Sequence, residues 1–190
     1  MVNTMCLILI ALRSHPTYKL IIAGNRDEYH DRPTAQAAFW EDTPGLLAGK
    51  DLRAGGTWFG ITKQGRIAAV TNYRDPALIR SHSPSRGKLV CSFLLSRQGP
   101  TDYLERLTQE AGKYNGFNLI IGDKDDLYWY SNIGSGPHKL TPNIYGLSNH
   151  LLDTPWPKLT RAKNAFLKLL SEQTDPLAED IFAILFDKSK

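Results

Sequence analysis

Two nearly unbroken apolar runs, Met5–Leu12 and Tyr18–Ala23, are separated only by Arg13-Ser14-His15-Pro16-Thr17. The runs are rich in Leu and Ile, and the polar, proline-containing segment between them supplies a turn, so the chain is expected to open with a β-hairpin. Strands that alternate polar and apolar residues face water on one side. Strands without that alternation are covered on both faces, as in a sheet lying between other layers. The longest apolar stretch, Cys6–Leu12, falls far short of the roughly 18 residues that cross a bilayer, and no basic leader with a small-residue cleavage site surrounds it. The reading is of a cytoplasmic protein with no integral membrane segment. At 190 residues, 42% hydrophobic and 22% charged, the chain has enough material for one domain, 1–190, with a sizeable core.

The net charge is +4 and the pI about 9.0, but Lys and Arg are spread along the chain, and the cationic stretch from Arg66 through Arg74, Arg80 and Arg86 to Lys88 lacks the interleaved aromatics of a single-strand platform. Nucleic acid is therefore not an expected partner, and an anionic small molecule suits that stretch better. With two cysteines and no secretory signal, both thiols are expected to be reduced. Cys91, within Leu89-Val90-Cys91-Ser92-Phe93, reads as a buried filler. His15, His30, His82, His138 and His150 are scattered through expected loops, and no nucleotide or zinc motif is present, so neither a metal nor a cofactor is expected from the residues themselves.

Further along, the segment 24–34 reads as a polar loop followed by a linker-like stretch through Pro44 and Gly49. Gly56–Asn72 has the pattern of a second hairpin turning at Lys63-Gln64-Gly65. Helices are expected over Lys88–Arg97 and Thr101–Lys113, the latter with Thr101 as N-cap and Tyr103, Leu104, Leu107 and Ala111 on one face. Strands are expected at Phe117–Ile121, Leu127–Tyr130 and Ile144–Leu147, and amphipathic helices at Trp156–Leu170 and Leu177–Phe186. Hairpins with helices in segregated pairs define an α+β fold with antiparallel sheets.

Chemistry concentrates at the strand ends. If translation starts at Met5, removal of that methionine leaves Cys6 with a thiol and a free α-amine of pKa about 7.7–8.0, a nucleophile carrying its own base. The second strand runs into Asn25-Arg26-Asp27-Glu28, which a hairpin returns to the start of the first strand. Asp27 can orient the amine there, and Arg26 can favour the thiolate. A polar turn with an Arg–Asp surface pair is the competing description. Asn72 and Tyr73 end the later hairpin and Asn149 follows the last strand. These can donate to an oxyanion or simply cap turns. Trp58 and Arg74 join Arg26 as candidate substrate contacts, although a Trp in such a strand is more often core than ligand platform.

Taken together, Met5-Cys6, Asn25-Arg26-Asp27-Glu28, Gly56-Thr57-Trp58 with Gly60, Thr71-Asn72-Tyr73-Arg74, Arg86-Gly87, Asn115-Gly116-Phe117-Asn118-Leu119 and Gly146-Leu147-Ser148-Asn149 resemble the NRDE-motif family, that of transport and Golgi organisation protein 2. The resemblance covers 5–186. It implies the αββα sandwich of N-terminal-nucleophile hydrolases and, by analogy with the penicillin V acylase group, a small-molecule amide substrate. In that scheme Cys6 is nucleophile and base, Asp27 holds the amine, and Tyr73 and Asn149 support the oxyanion. It equally implies a non-enzymatic alternative in trafficking, lipid or haem handling, with haem as the ligand. The family pattern usually lacks Met1-Val2-Asn3-Thr4, which favours Met5 as the start. It also usually continues past Phe186 to a Tyr-Gly-Thr-Arg segment that should supply further sheet strands; nothing like it follows Phe186 here, so a C-terminally truncated form of the fold is the expectation.

Overall fold

The computed structural model describes residues 6–28 and 31–186. Met5, the segment preceding it and His30 lie outside the described residues. The chain divides into two compact units, one of residues up to Asp27 together with Leu140 onward, the other Glu28–Lys139.

The first unit is a three-stranded antiparallel sheet in the order β10 (Asn143–Leu147), β1 (Leu7–Leu12), β2 (Leu20–Asn25), with helices α3 (Pro157–Glu172) and α4 (Ala178–Leu185). The expected hairpin forms, pairing Leu7 with Asn25 and Ile10 with Ile22. Leu7, Leu9 and Ala11 pack against Leu159, Phe166 and Leu170 of α3 and Ile181 of α4. Ile8 and Ile10 on the opposite face of β1 are buried as well, which is what the missing alternation requires. The hairpin turn is strapped to the α3–α4 connection: Thr17 Oγ1 donates to Thr174 O at 3.1 Å, and His15 Nε2 lies 2.9 Å from Gln173 O.

The second unit is a seven-stranded antiparallel meander of β3 (Thr34–Trp40), β4 (Thr43–Asp51), β5 (Phe59–Thr62), β6 (Ile67–Asn72), β7 (Phe117–Gly122), β8 (Leu127–Ser131) and β9 (His138–Lys139). Helices α1 (Gly87–Leu95) and α2 (Pro100–Glu110) cover one face, where Leu89, Phe93, Leu104 and Leu107 meet Leu46, Phe117, Leu119 and Ile121. Each unit is thus an antiparallel sheet with two helices on one face, as the α+β reading expects.

Four local expectations are corrected. The linker-like stretch is the β3–β4 hairpin. Most of β3 is exposed and its register shifts between Ala35 and Ala38, so it carries little apolar alternation, while Gly49 is a strand residue against which the Trp58 ring lies so closely that a Cβ would stand 2.6 Å from it. Thr101 is inside α2, not its cap. Gly99 takes that place, and Pro100, whose fixed φ suits a first helical turn, begins the helix. His138 stands on the edge strand β9, too short for a periodic signal. Cys91 is half-buried, not a core filler.

Three cations of the stretch assigned to an anionic ligand also have structural work. Arg66 stacks 4.0 Å over the Phe93 ring and donates to Phe93 O and Gln98 O at the end of α1, where positive charge is favoured. Arg80 donates to Gly112 O and Tyr114 O, and Arg86 to Gly116 O. At the other end of α1, Gly56 and Gly87 bring two backbones together: a Cβ on Gly56 would stand 2.6 Å from the Gly87 carbonyl carbon. No side chain fits there.

Candidate active site

Strand register assembles the site in the first unit. Because Leu7 pairs with Asn25 and Ile8 with Leu147, the residue before β1, the residues after β2 and those after β10 arrive at the same sheet end. Cys6, Asn25-Arg26-Asp27 and Ser148-Asn149 therefore meet there. Cys6 is half-buried, and its Sγ donates to the backbone carbonyl of Asp27 at 3.8 Å. Ser148 Oγ donates to Cys6 O at 2.7 Å. Asn25 Nδ2 donates to Asp27 Oδ1 at 2.8 Å. Ser148 and Asn149 are each only 4% exposed. The half-buried sulfur therefore has a polar neighbour in the Asp27 carbonyl.

The loop carrying Ser148 and Asn149 is held from below. Asp153, at φ 55°, accepts from Gly146 N and from Lys163 Nζ, both at 2.8 Å, and its own N–H donates to Gly146 O. His150 Nδ1 lies 2.9 Å from Thr154 Oγ1, and its ring centroid is 5.6 Å from that of Trp156. These bonds hold the backbone on either side of the buried Asn149.

The remaining candidates belong to the second unit. Asn72 is the exposed last residue of β6. Tyr73 follows, half-buried, with its N–H donating to Gly116 O at 2.9 Å, and then exposed Arg74. Trp58 lies against Gly49. Glu28, last of the tetrad, pairs with Arg32 at 3.7 Å, and Arg32 donates twice to Asp51 Oδ2, at 2.9 and 2.7 Å. Burial alone would lift the Asp51 carboxyl, but the Arg32 hydrogen bond and the Ala54 and Arg53 N–H groups outweigh it and hold it below the usual carboxylate range. Cys91 is half-buried as well, and burial, above all, pushes its thiol pKa up. Among the described residues no group of three His, Cys, Asp or Glu side chains could hold a metal ion, and no helix is long and apolar enough to cross a membrane.

Two participants in this geometry escaped the candidate set: Ser148 and Asn25, both inside recognised fragments but without an assigned role. The signal that could have found them is their register, one residue beyond β10 for Ser148 and opposite Leu7 for Asn25.

Comparison with solved structures finds a likeness of fold. The chain matches a Caenorhabditis elegans N-acylethanolamine-hydrolyzing acid amidase ortholog with a TM-score of 0.55 at 12% identity, over 96% of this chain and 86% of that one. At that identity the likeness is one of fold. The chain belongs to the transport and Golgi organisation 2 family, whose sequence profile matches residues 5–190. It is 40% identical to the Mus musculus transport and Golgi organization 2 homolog, over 93% of this chain and 68% of that protein. It is also 28% identical to Drosophila melanogaster transport and Golgi organization protein 2, over 95% and 70%.

Proposed function

We propose that the protein is a cytoplasmic N-terminal-nucleophile cysteine hydrolase that cleaves a carbon–nitrogen amide bond of a small acylated substrate. The observation that carries the reading is the half-buried Cys6 thiol held at a strand end with Asp27, Ser148 and Asn149. With Met5 removed, the α-amine of Cys6 takes the thiol proton as sulfur attacks the substrate carbonyl carbon. The new C–S bond leaves a tetrahedral oxyanion, for which the buried Asn149 amide is the donor within the same unit. The amine then passes the proton to the leaving nitrogen, the C–N bond breaks and a thioester remains. Water attacks the thioester, the amine relays the water proton to the departing thiolate, and the carboxylic acid leaves. Asp27 orients the amine throughout. Arg26 is a candidate substrate contact in the same unit.

The name of the C. elegans fold relative, an amide-hydrolysing enzyme, supports the choice of bond. The test is to express the protein from Met5, verify by intact mass that the chain begins at Cys6, and treat it with a limiting thiol electrophile. Modification of Cys6 far faster than Cys91 is the expected result, and equal labelling of the two thiols overturns the proposal.

A further inference from the structure

We infer that Ser148 and Asn25 are positioning residues for the nucleophile, Ser148 by fixing the Cys6 carbonyl and Asn25 by fixing the Asp27 carboxylate. This inference rests on the reading of Cys6 as the attacking residue. A nucleophile at a chain end is tethered on one side only, and rotation about its Cα–C bond swings thiol and amine together. Strand pairing does not stop that rotation, because β1 begins at Leu7 and β10 ends at Leu147. The Ser148 hydroxyl extends the constraint one residue further. It is buried, and it donates to Cys6 O at 2.7 Å, so the peptide plane from which the terminal residue pivots is held.

Asn25 does the corresponding work on the partner group. Asp27 lies beyond the end of β2, where ladder bonds no longer direct it. The Asn25 amide, still on the strand, reaches over Arg26 and donates to Asp27 Oδ1 at 2.8 Å. The Asp27 backbone carbonyl also accepts from Cys6 Sγ, so Ser148 and Asn25 each hold one partner of the Cys6–Asp27 pair. The Ser148 proton points at the Cys6 carbonyl and an Asn25 amide proton at Asp27 Oδ1, so each acts through Cys6 or Asp27.

The experiment uses protein expressed from Met5, with iodoacetamide as probe and the ratio of Cys6 to Cys91 labelling read by peptide mass spectrometry. Misplacement of a reacting group by an ångström has large kinetic consequences, so Ser148→Ala is expected to lower the ratio about tenfold or more. Ser148→Thr, which keeps the hydroxyl, should restore most of it. Asn25→Ala should lower the ratio, and Asn25→Asp should lower it further, because the isosteric carboxylate repels Asp27 where the amide donated to it. A residue that only fills space would tolerate Asp better than Ala. Thermal melts identify variants that do not fold, and each residue is judged by its own pair. An unchanged ratio in Ser148→Ala, or no rescue by Thr, overturns the role of Ser148, and Asn25→Asp labelling at least as selectively as Asn25→Ala overturns that of Asn25. If the unsubstituted protein labels Cys6 no faster than Cys91, the nucleophile reading itself fails and this inference falls with it. If it is selective and the variants are equally so, only the inference fails.

Discussion

The fragments that carry the family resemblance behave differently in the two units. In the first, Cys6, Asn25, Asp27 and Ser148 are strand-end residues whose side chains bond to one another or to each other's backbone. In the second, the fragments fit backbones together. Gly56 meets Gly87, and the Gly116 carbonyl accepts from both Tyr73 N and Arg86 Nη1. Buried Asn118 donates to Thr71 Oγ1 and accepts from Trp129 Nε1. A tightly constrained motif is therefore not by itself a chemical one, and the partners of each polar atom decide which it is. In the first unit they converge on Cys6 and Asp27. In the second they converge on the Gly116 carbonyl and on the buried Asn118 amide.

Substitutions can break this contrast, and core truncation sets the scale. Phe166→Ala removes a fully buried ring of α3 from the first unit's core and should cost about 3–5 kcal/mol, read as a lower urea midpoint at unchanged slope. A loss below about 1 kcal/mol would show that this unit's helices contribute little to its stability. Next, Gly56→Ala forces a methyl into the Gly87 backbone and should cost about 1–3 kcal/mol or more. If it is neutral, the second unit's glycines are not packing residues and the contrast fails.

A smaller effect, about 1–2 kcal/mol, is expected for Asp51→Asn, and it depends on pH. As acid is added, unfolded chains protonate Asp51 near its ordinary value of about 3.9, whereas the folded state resists until lower pH. The stabilisation is therefore complete above the unfolded value and disappears as pH falls through the depressed folded one. Urea midpoints of wild type and Asp51→Asn should accordingly differ at pH 6 and converge in strong acid. Persistence of the difference there would remove the charge explanation. The smallest stability effect, about 1 kcal/mol or less, belongs to Cys6→Ser, which should nonetheless abolish selective labelling at that position. A large destabilisation would make Cys6 a packing residue and erase the distinction between the units.

Much of the architecture was legible because apolar patterning and turn chemistry agree with the fold. The uninterrupted β1 run is buried on both faces, Asp123 accepts from the N–H groups of Asp125 and Asp126 in the β7–β8 turn, and Tyr103, Leu104 and Leu107 line the buried face of α2. The β3–β4 hairpin was not legible, since an exposed, bulged strand lacks a stripe and its glycine reports contact with Trp58, which lies outside the hairpin. At the site, Cys6 and Asp27 could be selected from residue type and hairpin logic. Ser148 and Asn25 could not, because their roles depend on where pairing stops, and a strand's last residue is the part of an element that pattern fixes least.

The Gly56–Gly87 crossing carries a consequence for how this sequence can drift. With two main chains already touching, a methyl gained by either glycine is tolerable only if the opposite segment retreats. Since one segment leads into β5 and the other starts α1, the two positions are locked into a single joint choice, although they lie far apart along the chain.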